Sequence, residues 1–171
     1  EERQKTATGR VATFDGSHWR VADDPQPGAS GEGGSFLPPF GDALAEKLKV
    51  PIGIVSCGVG ATSVREWLPR GSRFPHPPTL EGDVRPLPDG GWESNGRIFE
   101  AFVGRLSRLG PRGFRAVLWH QGESDANQTD AVRTLPGPQY RESLEKLIVE
   151  SRRALGWEAP WVVAQVSYHT P

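Results

Sequence analysis

Phe114-Arg115-Ala116-Val117-Leu118-Trp119-His120-Gln121-Gly122-Glu123-Ser124-Asp125 is the stretch that decides the fold. Its first half is a short apolar run, which reads as a strand buried on both faces. Its second half is a polar cluster at a position where a core would place none. A strand that ends in carboxylates, an amide and an imidazole belongs to a site.

Two other segments repeat the pattern. Pro51-Ile52-Gly53-Ile54-Val55-Ser56-Cys57 is an apolar run followed by the small-residue turn Gly58-Val59-Gly60-Ala61-Thr62-Ser63, after which Val64 to Leu68 starts a short helix. Pro160 to Ser167 is a third strand, ending in Tyr168-His169. Between the strands lie helical patterns. One runs from Phe40 to Lys49 on Leu44 and Leu48, and one from Asn95 to Leu109 on Ile98, Phe102 and Leu106. A third runs from Tyr140 to Leu155 on Leu144, Leu147, Ile148 and Ser151. Helices alternating with buried strands predict right-handed crossovers and a parallel sheet covered by helices. Ligands bind such sheets at the carboxyl ends of the strands, where all three unusual segments lie. Residues 1–35 read as an irregular lead-in, and 69–93 and 126–138 as surface loops.

The remaining composition excludes more than it assigns. The 171 residues suit one domain and carry 20 basic and 21 acidic residues, a net charge of -1. That balance offers no basic footprint for nucleic acid. No apolar run is long enough to span a membrane, and no apolar targeting segment opens the chain. One cysteine excludes an internal disulfide framework. Compartment is open from these residues; a secreted or periplasmic location is expected if a signal peptide precedes them. Oligomeric state is equally open.

The polar segments resemble a known family. Cys57-Gly58-Val59-Gly60-Ala61-Thr62-Ser63-Val64-Arg65-Glu66-Trp67 is similar to the second conserved block of SGNH hydrolases of the sialic-acid O-acetylesterase and acetyl xylan esterase group. That block usually reads Gly-Gly-Thr-Ser and closes on Glu-Trp, with Ala61 here in place of the second glycine. Trp119 to Asp125 resembles the third block, His-Gln-Gly-Glu. The resemblance implies a three-layer α/β/α sandwich with a parallel sheet. The implied chemistry is hydrolysis of acyl esters on sugars, O-acetyl groups foremost, by a serine with an Asp-His base and no cofactor or metal. Carried over by residue, Gly60 supplies a backbone donor and Gln121 a side-chain donor to the oxyanion, while Glu123 supports the site. Arg65, Trp67, Trp119, His120 and His169 are the expected contacts with an acylated carbohydrate. Neither the Gly-Gln-Ser-Asn nucleophile block nor the Asp-x-x-His block occurs in the chain. The expectation is therefore a single, incomplete domain, 1–171, lacking its first strand and C-terminal end.

Competing readings stand beside this one. Gly58 and Gly60 can serve a tight turn alone, and Asp125 can simply cap a turn. His120, Glu123 and Asp125 on a turn form a poor tetrahedral zinc set. Cys57 could replace the absent serine, but a lone cysteine in an apolar strand is ordinarily inert core. Ser56, Ser63, Ser124 and Ser167 lack a nucleophile-elbow context. At the level of function, the alternative is a non-catalytic carbohydrate-binding pseudo-esterase or an inactive fragment.

Overall fold

The computed structural model describes residues 2–126 and 129–166. The chain divides into two compact units, Glu1–Gly60 and Ala61–Pro171.

In the first unit, β1 (Val11–Phe14) and β2 (Trp19–Val21) form an antiparallel hairpin. The carboxylate of Asp15 accepts the N–H groups of Ser17 and His18, each at 2.8 Å, and so closes the turn. The expected irregular lead-in is thus corrected; two strands of four and three residues were too short to show a period. Helix α1 (Leu37–Leu48) follows, with proline in its first turn and Lys49 as a left-handed cap. It buries Pro38, Gly41, Asp42 and Ala45, whereas Leu48, expected on the apolar face, is 55% exposed. Strand β3 (Ile52–Ile54) then pairs parallel to β1, completing a β-α-β unit.

Asp42 ties the amino-terminal segment to α1. Its carboxylate accepts the hydroxyls of Thr6 (2.6 Å) and Thr8 (2.5 Å) and the N–H groups of Ala7 (2.7 Å) and Thr8 (3.2 Å). Burial on its own would raise the carboxyl, but these donors outweigh it and hold Asp42 at about 2.

The second unit begins with a 3₁₀ turn, Val64–Trp67. Strands β4 (Arg73–Phe74), β5 (Val84–Pro86) and β6 (Trp92–Ser94) form an antiparallel sheet in the order β4-β6-β5. This corrects the expected 69–93 loop. Strands of two or three residues among prolines leave no alternation to read. Helix α2 (Arg97–Ser107) buries Ile98, Phe102 and Leu106, the stripe its sequence predicts. Strand β7 (Val117–Trp119) is followed by α3 (Gly137–Leu155), which buries Leu144, Leu147 and Ser151 and ends on the left-handed Gly156. Strand β8 (Trp161–Val163) pairs parallel to β7, again across a helix.

The architecture is therefore mixed α/β, with three helices and parallel pairs where the alternation implied them. Among the described residues the strands form three small sheets. Nor are the apolar strands buried on both faces: Leu118 is 47% and its cross-strand neighbour Val162 58% exposed. The core of the second unit is aromatic instead. Trp67 meets Trp119 edge-on at 5.2 Å between centroids and Phe102 at 6.0 Å, and Trp161 completes the cluster 5.8 Å from Trp119. No helix among the described residues is long and apolar enough to cross a membrane.

Candidate active site

Ser63 organises the turn that follows the small-residue segment. Its backbone is extended, so it caps the 3₁₀ turn: Ser63 Oγ accepts the Arg65 N–H, and Glu66 reaches back to accept the Ser63 N–H at 2.7 Å. The Ser63 hydroxyl donates in turn to Asp125 Oδ1 at 2.5 Å, and the Val64 N–H donates to Asp125 Oδ2 at 2.9 Å. One carboxylate from the third block thus fastens the start of the turn in the second.

Arg65 is 1% exposed and closes the other side. Its Nε donates to Ser63 Oγ (2.9 Å), Nη1 to the carbonyls of His76 and Pro77, and Nη2 to the carbonyl of Arg133 at 2.6 Å. Asp125 lies 3.7 Å from Nη2. A buried guanidinium is tolerable only when each fork is met, as here. Arg133 repeats the device nearer the surface, donating to the Pro78 carbonyl and pairing with Glu81 and Asp130. Segment 76–81 is thereby strapped to the loop before α3, and Thr79 adds a bond to the Ser124 carbonyl. Among the described residues Glu66 accepts only the Ser63 N–H, and burial dominates, so its carboxyl rises to about 7. The nearby charges of Asp83 and Asp125 add to the rise, and Arg65 opposes it.

Gln121 leaves the carboxyl end of β7 and is half-buried. Its Nε2 donates to the Thr62 carbonyl at 2.9 Å and to Asp125 Oδ2 at 2.7 Å. The Tyr140 hydroxyl lies 2.7 Å from the Gln121 carbonyl and 3.0 Å from its Oε1, sharing one proton between them, and accepts the Trp119 Nε1–H at 3.0 Å. The bend directly after Gln121 uses Gly122 at φ 155°, a conformation other residues rarely adopt. Beneath it, Trp67 donates to Thr62 Oγ1 at 2.9 Å.

The structure thus gathers Arg65, Glu66, Trp67, Trp119 and Gln121 about Asp125 and Tyr140. Arg65, Trp67 and Trp119, expected as cleft walls, are 1%, 5% and 6% exposed. Their polar ends all bond within the protein. His120 is exposed and Glu123 half-buried. Gly60 belongs to the first unit, where its N–H donates to Ser30 Oγ at 2.7 Å. His169 and Ser167 lie outside the described residues. Ser63 is fully buried with its hydroxyl committed to Asp125, so it cannot attack an ester. Cys57 is half-buried, its Sγ 3.9 Å from the Val55 carbonyl.

Asp125 carries more than the turn cap that sequence allowed, since it spans 62 positions to Ser63. Tyr140 and Arg133 gave no local signal. Glu66 did: Ser63-Val64-Arg65-Glu66 has the spacing of a capping box.

A model of the family described as "Carbohydrate esterase, sialic acid-specific acetylesterase" matches residues 2–170. No curated protein matches the chain. Among solved structures, a protein from Arabidopsis thaliana is 23% identical, with a TM-score of 0.62 over 91% of this chain and 56% of that one. A carbohydrate acetylesterase from Xanthomonas citri is 20% identical, with a TM-score of 0.51 over 91% of this chain and 33% of that one. The chain therefore spans little more than half of the first and a third of the second. At these identities the likeness is one of fold.

Proposed function

Because the chain belongs to the carbohydrate esterase family of sialic acid-specific acetylesterases, we propose that it acts in hydrolysing acyl esters, O-acetyl groups foremost, on sugars. A serine attacks the carbonyl carbon and a histidine oriented by a carboxylate takes its proton. The sugar hydroxyl leaves on reprotonation, and water then frees the acyl group from the serine. The Gly-Gln-Ser-Asn and Asp-x-x-His blocks that supply serine and base in that mechanism do not occur among these 171 residues. The chain's own part is to donate to the tetrahedral oxyanion from the Gln121 amide, and the family resemblance gives the Gly60 N–H a donor role as well. In this reading His120 meets the substrate and Glu123 supports the site. A parallel sheet within a three-layer α/β/α sandwich goes with this reading, supported by the two parallel pairs, each formed across a helix.

The observation that carries the proposal is the setting of Gln121. Its amide is fixed at a strand's carboxyl end by Asp125 on one N–H, while its other N–H meets the neutral carbonyl of Thr62. An oxyanion is the stronger acceptor and can replace that carbonyl. Ser30 Oγ plays the same interim role on Gly60.

The test is p-nitrophenyl acetate hydrolysis, with and without a serine-reactive fluorophosphonate, by protein of verified intact mass. Activity lost on labelling, in a polypeptide well above 18.7 kDa, supports the reading. In that protein Gln121→Ala should lower kcat about 100- to 1,000-fold with KM little changed. A Gln121→Ala variant of full activity sinks the oxyanion role. Sugar binding without turnover would instead establish the pseudo-esterase.

A further inference from the structure

A second concentration of polar chemistry lies at the far end of α3 from Tyr140. A depression of about 600 Å³ is lined by Arg112, Arg152, Arg153, Gly156, Trp157 and Glu158, none of them in the network around Gln121. Tyr140 and Arg152 are both on α3, and the helical rise between them amounts to roughly 18 Å. Arg112 precedes β7 and Glu158 precedes β8. The depression therefore borders the amino ends of the two strands, and Gln121 leaves a carboxyl end.

Part of this cluster has an ordinary explanation. Arg152 and Arg153 occupy the last turn of α3, where the helix dipole favours cations. Arg152 Nε donates to the Ala159 carbonyl at 3.0 Å and Nη1 lies 3.4 Å from Glu158, while Arg153 meets Glu150 at 3.0 Å. Arg112 has no such explanation. It comes from another segment, is exposed, and has no bonded partner among the described residues. Its φ is 52°, a left-handed conformation that asparagine or glycine would adopt more easily. The turn that presents it is tightly built. Gly113 N–H donates to the Gly110 carbonyl at 3.1 Å, and a Cβ on Gly113 would stand 2.0 Å from the Leu109 carbonyl oxygen. Beside it the half-buried Trp157 indole is braced edge-on by Phe114, 5.0 Å between centroids.

We propose that this depression is a non-catalytic binding site for an acidic sugar, a pyranose ring bearing a carboxylate. The unpaired fork of Arg112, with Arg153 beside it, matches a carboxylate in a bidentate way that lysine would not. The indole offers an apolar face to the ring. Glu158 on the rim disfavours a bare, densely charged anion. The choice of a sugar rests on the carbohydrate-esterase reading. The site would hold one residue of a glycan while another reaches the catalytic edge, raising effective concentration without a new catalytic contact.

The experiment titrates the 171-residue chain with trigalacturonate and with a neutral galactose trimer, by calorimetry and by the Trp157 indole N–H resonance. The acidic trimer should bind at least tenfold more tightly, and more weakly as sodium chloride is raised. Arg112→Ala should cost tenfold or more, with an unchanged circular dichroism spectrum, and Arg153→Gln a smaller loss. Equal affinity for the two trimers, or full affinity in Arg112→Ala, overturns the site. Sulfate binding with no response to the acidic trimer overturns it too. The esterase reading fails separately: hydrolysis of p-nitrophenyl acetate, which carries no sugar to engage the depression, should be untouched by Arg112→Ala, and a protein that binds the trimer without turnover loses only that reading.

Discussion

Two buried carboxylates, one in each unit, meet opposite fates. Asp42 is held at about 2 and Glu66 is pushed to about 7. Burial acts on both in the same direction. What differs is the number of donors among the described residues: Asp42 accepts two hydroxyls and two N–H groups, whereas Glu66 accepts the Ser63 N–H alone. Donors aimed at the charged form decide whether a carboxyl can stay ionised out of water. Asp125, beside Glu66, shows that the second unit does hold a fully supplied carboxylate. It receives Ser63, Val64 and Gln121 and faces Arg65.

Removing Asp125 should have the largest effect on this contrast. Asp125→Ala strips three donors of their acceptor and leaves Arg65 buried without its counter-charge, so a loss of about 3–5 kcal/mol is expected in urea unfolding. A loss below about 1 kcal/mol would show that the carboxylate is not the fastener described. Glu66 comes next. Its folded value of about 7 lies above the ordinary glutamate value of 4.5, so the unfolded chain gives up the proton first. Its contribution therefore falls as pH rises from about 4.5 to 7 and is level above, by an amount on the order of 3 kcal/mol. Glu66→Gln keeps the acceptor for Ser63 and should flatten that limb; an unaltered pH profile of stability would break the comparison.

Asp42→Ala should cost about 2 kcal/mol near neutral pH. Because the folded value lies below the ordinary aspartate value of 3.8, the contribution is complete above that pH and is lost as pH falls towards about 2. The variant should accordingly show a weaker acid limb. The smallest effect belongs to Ala61, which adopts φ 59°. Ala61→Gly should raise stability by about 0.5–1 kcal/mol by relieving the left-handed strain, read as a rise in Tm. No rise would mean that the turn carries no such strain.

How much of this was legible follows from range. The Ile98, Phe102 and Leu106 stripe was readable because it repeats within one helix. The glycine that the family carries at position 61 finds its reason in a left-handed backbone. The hairpin at Val11–Val21 and the β4-β6-β5 sheet were not readable, since strands of two to four residues present no period. The site was legible as a set of unusual residues at strand ends, but not as a network. Nothing near Asp125 in sequence says that it meets Ser63, and nothing near Arg65 says that it holds the carbonyls of His76, Pro77 and Arg133. The same long-range contacts go with the burial of Arg65, Trp67 and Trp119.

Arg65 carries one further consequence. A single side chain recognises a hydroxyl, three main-chain carbonyls and a carboxylate, in directions that only a planar fork with five N–H bonds can meet. The usual exchange of one cation for another is closed to it, because a lysine would abandon most of those partners inside the protein. Arg70 and Arg73, each paired to one carboxylate in open solvent, can drift freely. Two positions five residues apart, bearing the same amino acid, thus stand at opposite ends of mutational tolerance.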